Sequence, residues 1–145
     1  MSSNDFPVVL IAYLLFAAGY AGFQWTVQVL VYRQFALVPP DAFPAYERAH
    51  QRRVSLVVGP LFAGLVLSTG GLLLFKPTGI PWWEPIAGGV LVALILVVTA
   101  LLAVPLHGRL SAGFDEAAFR SLLRVDLVRA VAASLNVVVA VLLLW

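Results

Sequence analysis

Apolar residues along this chain fall into four long stretches, and nearly every charge lies between them. The first uncharged stretch, Phe6 to Tyr32, has 27 residues, and Val54 to Phe75 and Pro85 to Leu106 have 22 each. A helix needs roughly 20 apolar residues to cross a hydrocarbon core of ~30 Å, so all three are long enough. After Arg129 only 16 uncharged residues remain, and counting from Asp126 gives 20. The pattern therefore predicts membrane helices near 7–32, 54–75, 85–106 and 126–145. It places the side chains of Asp126 and Arg129 at the membrane boundary, with Arg129 reaching toward headgroups or into a polar space between helices. Asn4 and Asp5 stand before the first stretch where a signal peptide would carry basic residues, which predicts a retained first helix.

The connections carry their own signals. Pro39, Pro40 and Pro44 interrupt the first helix, after which "AYERAHQRR" forms a lead-in to the second. Gly113 breaks the stretch after helix 3, and a short helix is expected to start near Asp115, where acidic residues favour the first turn. These segments either cross the mouth of the bundle or are the interfacial ends of longer helices. In "KPTGIPWWEP", Pro77 and Gly79 signal a turn, while Trp82 and Trp83, like Trp145, suit interfacial anchoring. The fold expected is all-α: a four-transmembrane-helix bundle with short cytoplasmic interfacial helices, residues 1–145 forming a single membrane domain.

Composition agrees, since 62% of residues are hydrophobic, 11% are charged and mean hydropathy is +1.00. A soluble chain of this size has no use for so much apolar exterior. The net charge of +2 is small and the arginines flank apolar runs, so nucleic acid is excluded as a partner. There is no cysteine, hence no disulfide, thiolate nucleophile or iron–sulfur ligation. Arg33, Arg48, Arg52 and Arg53 lie after helix 1; Arg109, Arg120, Arg124 and Arg129 lie after helix 3; Lys76 stands alone after helix 2. The positive-inside rule then predicts a multi-pass membrane protein with both termini outside.

Polar residues inside the apolar runs are the candidates for chemistry. Gln24 and Gln28 share a face of helix 1, and Asn136 lies seven residues beyond Arg129 on nearly the same face of helix 4. Three amides at similar depth need partners, so they are expected to turn inward as interhelical contacts or as substrate-binding groups. Ahead of helix 2, Tyr46, His50 and Arg53 follow helical spacing beside Glu47. His107 ends helix 3 on the same arginine-rich side. An imidazole exchanges protons near neutral pH, and Glu47 or Asp126 can orient it while Arg53 and Arg129 hold negative charge. The residues Gly19, Gly22, Gly88 and Gly89 are expected to permit close helix packing, and Ser68, Thr69 and Thr99 to bond their own helices. No phosphate cradle, HExxH motif or nucleophile elbow is present, and no metal or other cofactor is expected.

The segments "GFQWTVQVLVYRQF", "YERAHQRR" and "PLHGRLSAGFDEAAFRSLLRVDLVRA" resemble a group of small bacterial four-helix membrane proteins that are loosely similar to anthrone-oxygenase-like proteins. Their last helix often opens on Asn-Trp-x-Arg-Thr. Here that stretch reads Asp126, Leu127, Val128, Arg129 and Ala130, which keeps only the arginine and marks Arg129 as a shared functional position.

Three functions are compatible with this pattern. The first is an accessory or scaffold protein that binds membrane lipids or a partner membrane protein, alone, as a homo-oligomer or in a larger complex. The second is an enzyme performing cyclisation, isomerisation or proton abstraction on a lipophilic polyketide, quinone or isoprenoid-like substrate, with His50 favoured over His107 for proton transfer. The third is a subunit of an oligomeric transporter.

Overall fold

The computed structural model describes residues 5–76 and 79–145, and every regular element among them is helical. Four long helices follow. Helix α1 runs Asp5–Thr26 and continues through a π-helical turn, Val27–Val31, into Tyr32–Phe35. Helix α2 spans Phe43–Leu74, with Pro44 in its first turn and Pro60 inside it. Helix α3 spans Trp83–Val98 and passes through a second π turn, Thr99–Ala103, into Val104–Leu110. Helix α4 is Glu116–Leu142. All four are long and apolar enough to cross a membrane, giving an all-α four-helix transmembrane bundle.

Two helices begin earlier than the apolar runs suggest. Arginine and glutamate are good helix formers, so the charges at Arg48 to Arg53 and Arg120 to Arg129 end the hydrocarbon match without ending the helix. The expected helix start at Asp115 is real: its carboxylate accepts from Ala117 N–H at 2.8 Å and Ala118 N–H at 3.1 Å. That short helix is the first part of α4, and the lead-in "AYERAHQRR" is likewise the first part of α2. Consequently Asp126 lies ten residues past the start of α4, and both Asp126 and Arg129 face the bundle interior, at 0% and 7% exposure; of the two destinations expected for Arg129, the polar space between helices is the one observed. The turn expected at Pro77 lies outside the described residues, whereas Gly79 adopts φ +95°, a conformation that glycine takes at little cost.

Each helix packs against two neighbours, α1 on α2 and α4, and α3 on α4 and α2. One apolar cluster, including Leu10, Tyr13, Tyr20, Leu65, Val92 and Ile95, fills the half of the bundle nearer the 2–3 turn. A second, including Tyr32, Phe35, Phe43, Leu110, Phe119 and Leu122, fills the arginine-rich end. Outward positions are apolar, among them Val29, Leu67, Val90, Leu101 and Val138, while Gln24, Glu47, Asp126, Arg129 and Asn136 are buried. That distribution suits lipid outside and protein inside.

Small residues set the close approaches. A Cβ on Gly64 would sit 2.1 Å from the Phe16 ring, and one on Gly88 would sit 2.3 Å from the Tyr13 hydroxyl. Gly19 and Gly89 also face neighbouring side chains, but Gly22, expected in the same role, faces open space. Trp82 and Trp83 are exposed at the 2–3 turn, with the Lys76 ammonium 5.2 Å from the Trp82 ring centroid.

Candidate functional site

Between the two apolar clusters lies a polar layer fed by three helices, α1, α3 and α4. Asp126 Oδ1 accepts from Gln24 Nε2 and from Arg129 Nη2, and Arg129 Nη1 donates to Thr99 Oγ1 at 3.3 Å. Thr99 donates in turn to its own helix at Ile95 O, 2.7 Å, as expected, yet its oxygen also receives the arginine. Gln28 Nε2 reaches Leu123 O at 3.3 Å. Gln28 and Thr99 both lie within π turns, which recur at functional positions because they re-aim side chains that an unbroken α-helix would hold elsewhere.

The three amides all turn inward, but they do not meet. Gln24 binds Asp126 and Gln28 binds a backbone carbonyl, whereas Asn136 Oδ1 accepts from the Tyr13 hydroxyl at 2.6 Å, deep in the first apolar cluster. Ten residues of helix, about 15 Å, separate Asp126 from Asn136, so the common depth inferred for the amides does not hold.

Toward the arginine-rich end a second chain of contacts begins on α2. The Glu47 carboxylate is fully buried, and its Oε1 lies 2.6 Å from His107 Nδ1 and accepts from Gln51 Nε2 at 3.0 Å. The other imidazole nitrogen, Nε2, is 3.0 Å from the Tyr32 hydroxyl. A carboxylate can only accept, so His107 carries its proton on Nδ1, leaving Nε2 to accept from Tyr32. Glu47 therefore serves His107 on α3, where sequence adjacency had suggested His50. His50 packs its ring against Tyr32, Phe35 and His107, and its Nε2 is buried without a protein partner.

Two spaces divide the candidate residues. A cavity of about 160 Å³ is bounded by Gln24, Tyr32, Gln51, Thr99, His107 and Arg129 on its polar side and by Phe23, Val58, Phe62 and other apolar residues. Tyr46, His50 and Arg53 line a separate, more open groove between α1 and α2. Asp126 and Glu47 stand behind the cavity wall, each holding a residue that faces it. Arg129 Nε is buried without a partner, as are Asp126 Oδ2 and Glu47 Oε2. Among the described residues, no three His, Cys, Asp or Glu side chains converge as metal ligands.

Tyr32 and Gln51 were absent from the sequence candidates. The signal was present for Tyr32, a phenol closing an apolar run at the same end as both histidines; for Gln51 it was the i, i+4 spacing from Glu47.

Fold and site together define an integral membrane protein of four transmembrane helices with a polar cavity inside the bundle. No family model, curated protein or solved structure matches the chain.

Proposed function

We propose that this bundle is a small membrane enzyme that moves a proton on a lipophilic, oxygen-bearing molecule held in the cavity. The observation that carries this reading is the relay Glu47–His107–Tyr32, which ends on the cavity that Arg129 also lines. A structural polar layer needs no such alignment of carboxylate, imidazole and phenol. In the forward step the Tyr32 hydroxyl passes its proton to His107 Nε2 as the Tyr32 oxygen takes one from a carbon beside a substrate carbonyl. The resulting imidazolium is held by Glu47, and the enolate oxygen by Arg129. Returning the proton to a different carbon is an isomerisation; addition of the enolate carbon to a second carbonyl of the same molecule, whose C=O π bond opens and whose oxygen takes the proton from Tyr32 as Tyr32 regains one from His107, is a cyclisation. No electrons leave the substrate in either.

Arg129 is the position shared with the anthrone-oxygenase-like group, which supports a role at the substrate without fixing the reaction. The arginine-rich ends of the helices support an orientation with both termini outside, and the resemblance quoted above supports a bacterial inner membrane, the bundle's outer faces in contact with lipid.

A scaffold role is favoured by one observation, the Gln24–Asp126–Arg129–Thr99 knot, which ties three helices whatever occupies the cavity. Mass spectrometry of small molecules extracted from purified protein separates the two. A lipophilic carbonyl compound or phenol retained by wild type, and converted by wild type but not by folded H107Q, supports the enzyme. Retention of ordinary phospholipid alone, in wild type and variants alike, overturns it in favour of the scaffold.

A further inference from the structure

The size and opening of the cavity restrict what it can hold. At about 160 Å³ it matches the engineered cavities of ~150 Å³ that take up one benzene ring. Phe23 and Phe62 belong to its wall and pack against the apolar cluster toward the 2–3 turn, so a larger ring system would have to displace packed side chains. Its polar side includes Arg129, whose guanidinium can only donate, and Tyr32, whose hydroxyl donates once His107 is protonated. Donors of this kind call for an accepting carbonyl or enolate oxygen.

The cavity is also open on one side. Of its lining residues on α1, Gln24, Val27 and Tyr32 are buried. Two lining residues are exposed, Ser55 on α2 and Val104 on α3, and they flank the same seam. Val104 has 59% of its surface free and lies five residues before Arg109, so the opening is roughly 8 Å below the arginine rim, facing lipid. The α1–α2 groove lies on the other side of Phe23, Val27 and Val54, which line both spaces.

We infer that the substrate has a single-ring head bearing a carbonyl oxygen, bound against Arg129 and Tyr32, and an apolar tail that leaves between α2 and α3 past Ser55 and Val104 into the bilayer. This rests on the cavity reading above and adds ring size and tail path to it. A ring with a tail also accounts for a site at this depth: the tail stays in lipid while the head alone exchanges water for protein donors.

Three probes test the inference with the intact protein in lipid nanodiscs: acetophenone, para-decylacetophenone and 2-acetylanthracene, with one, one and three rings. Wild type is expected to bind both single-ring ketones and not the anthracene, with R129K weakening the two that bind. V104W fills the outer slot at a position already facing lipid, so folding is preserved. It is expected to weaken para-decylacetophenone by at least about tenfold more than it weakens acetophenone. A49W, on the α1–α2 groove, is expected to change neither. If A49W and not V104W releases the tailed ketone, or if V104W has no effect, the tail path is wrong. Equal, Arg129-dependent binding of the anthracene overturns the single-ring head while the cavity reading stands. Binding of no probe, together with indifference of catalysis to R129K and H107Q, defeats both.

Discussion

His107 on α3 holds its Nδ1 2.6 Å from Oε1 of Glu47 on α2, a carboxylate with no exposed surface, across 60 residues of sequence. The contact fixes the imidazole tautomer and links two helices at the end where the arginines gather. Replacing Glu47 by Gln keeps an acceptor of similar size and removes the charge. E47Q is therefore expected to fold and to retain the copurified molecule while losing about 10²- to 10⁴-fold in conversion rate, because the imidazolium formed during proton transfer is no longer held. Retention by native mass spectrometry and conversion by chromatography measure the two separately. A rate within about twofold of wild type would remove Glu47 from the mechanism.

Tyr32 and His50 separate the relay from its surroundings. Y32F deletes one oxygen from a buried ring that packs at 5.2 Å and 6.0 Å centroid distance on Phe35 and His50, so the packing survives. Its conversion rate is expected to fall about 10²-fold or more, with ligand retention little changed. H50Q removes the imidazole favoured by sequence position, which here lines the α1–α2 groove and makes no hydrogen bond to Glu47. It is expected to cost far less than H107Q in the same assay. The reverse ranking would return the proton-transfer role to His50.

Much of the fold was legible because lipid imposes a simple rule. Apolar runs of membrane length announced four helices, and buried amides announced inward faces at Gln24, Gln28 and Asn136. The site was less legible for three reasons. Counting charges located the ends of the apolar runs and not the helix ends, which left open whether Arg129 turned to headgroups or to a polar space between helices. Helical periodicity assigns faces at 100° per residue, and the π turns at Val27–Val31 and Thr99–Ala103 break that count just before Tyr32 and His107. Partner choice was the third: Glu47 has His50 three residues away in sequence, but the neighbour it bonds comes from another helix, and only packing reveals it.

The Asp126–Arg129 pair makes a prediction about stability. R129M removes the cation and leaves a buried carboxylate uncompensated, and D126L leaves the guanidinium, so each single change is expected to destabilise by about 3–5 kcal/mol. The double variant D126L/R129M buries no charge and is expected to lie closer to wild type than either single variant. Unfolding followed by circular dichroism in detergent or lipid gives the comparison. Additive losses in the double variant would mean that the two groups are not coupled as their shared contact at Asp126 Oδ1 requires.

Gly88 gives a second packing test. A Cβ there would lie 2.3 Å from the Tyr13 hydroxyl, the group that donates to Asn136 at 2.6 Å. G88A is expected to cost about 1–3 kcal/mol by overpacking and by displacing that hydrogen bond. Y13F removes the obstructing oxygen, leaving the ring carbon at 3.2 Å, so G88A should cost less in the Y13F background than in wild type. Equal costs in the two backgrounds would place the strain elsewhere.

Orientation is open to a direct test because the sequence contains no cysteine to be removed first. Ala112 is exposed in the turn between α3 and α4, on the side that carries eight of the nine Lys and Arg residues. Basic residues in short connections are retained on the cytoplasmic face, so that turn should lie inside the cell and both termini outside. In intact cells, A112C is expected to resist a membrane-impermeant maleimide and to react once the membrane is opened. S3C and T78C, on the opposite side by the same argument, are expected to react without permeabilisation. The converse labelling would invert the bundle, moving the relay and its opening to the outer half of the membrane and requiring a substrate that approaches from that leaflet.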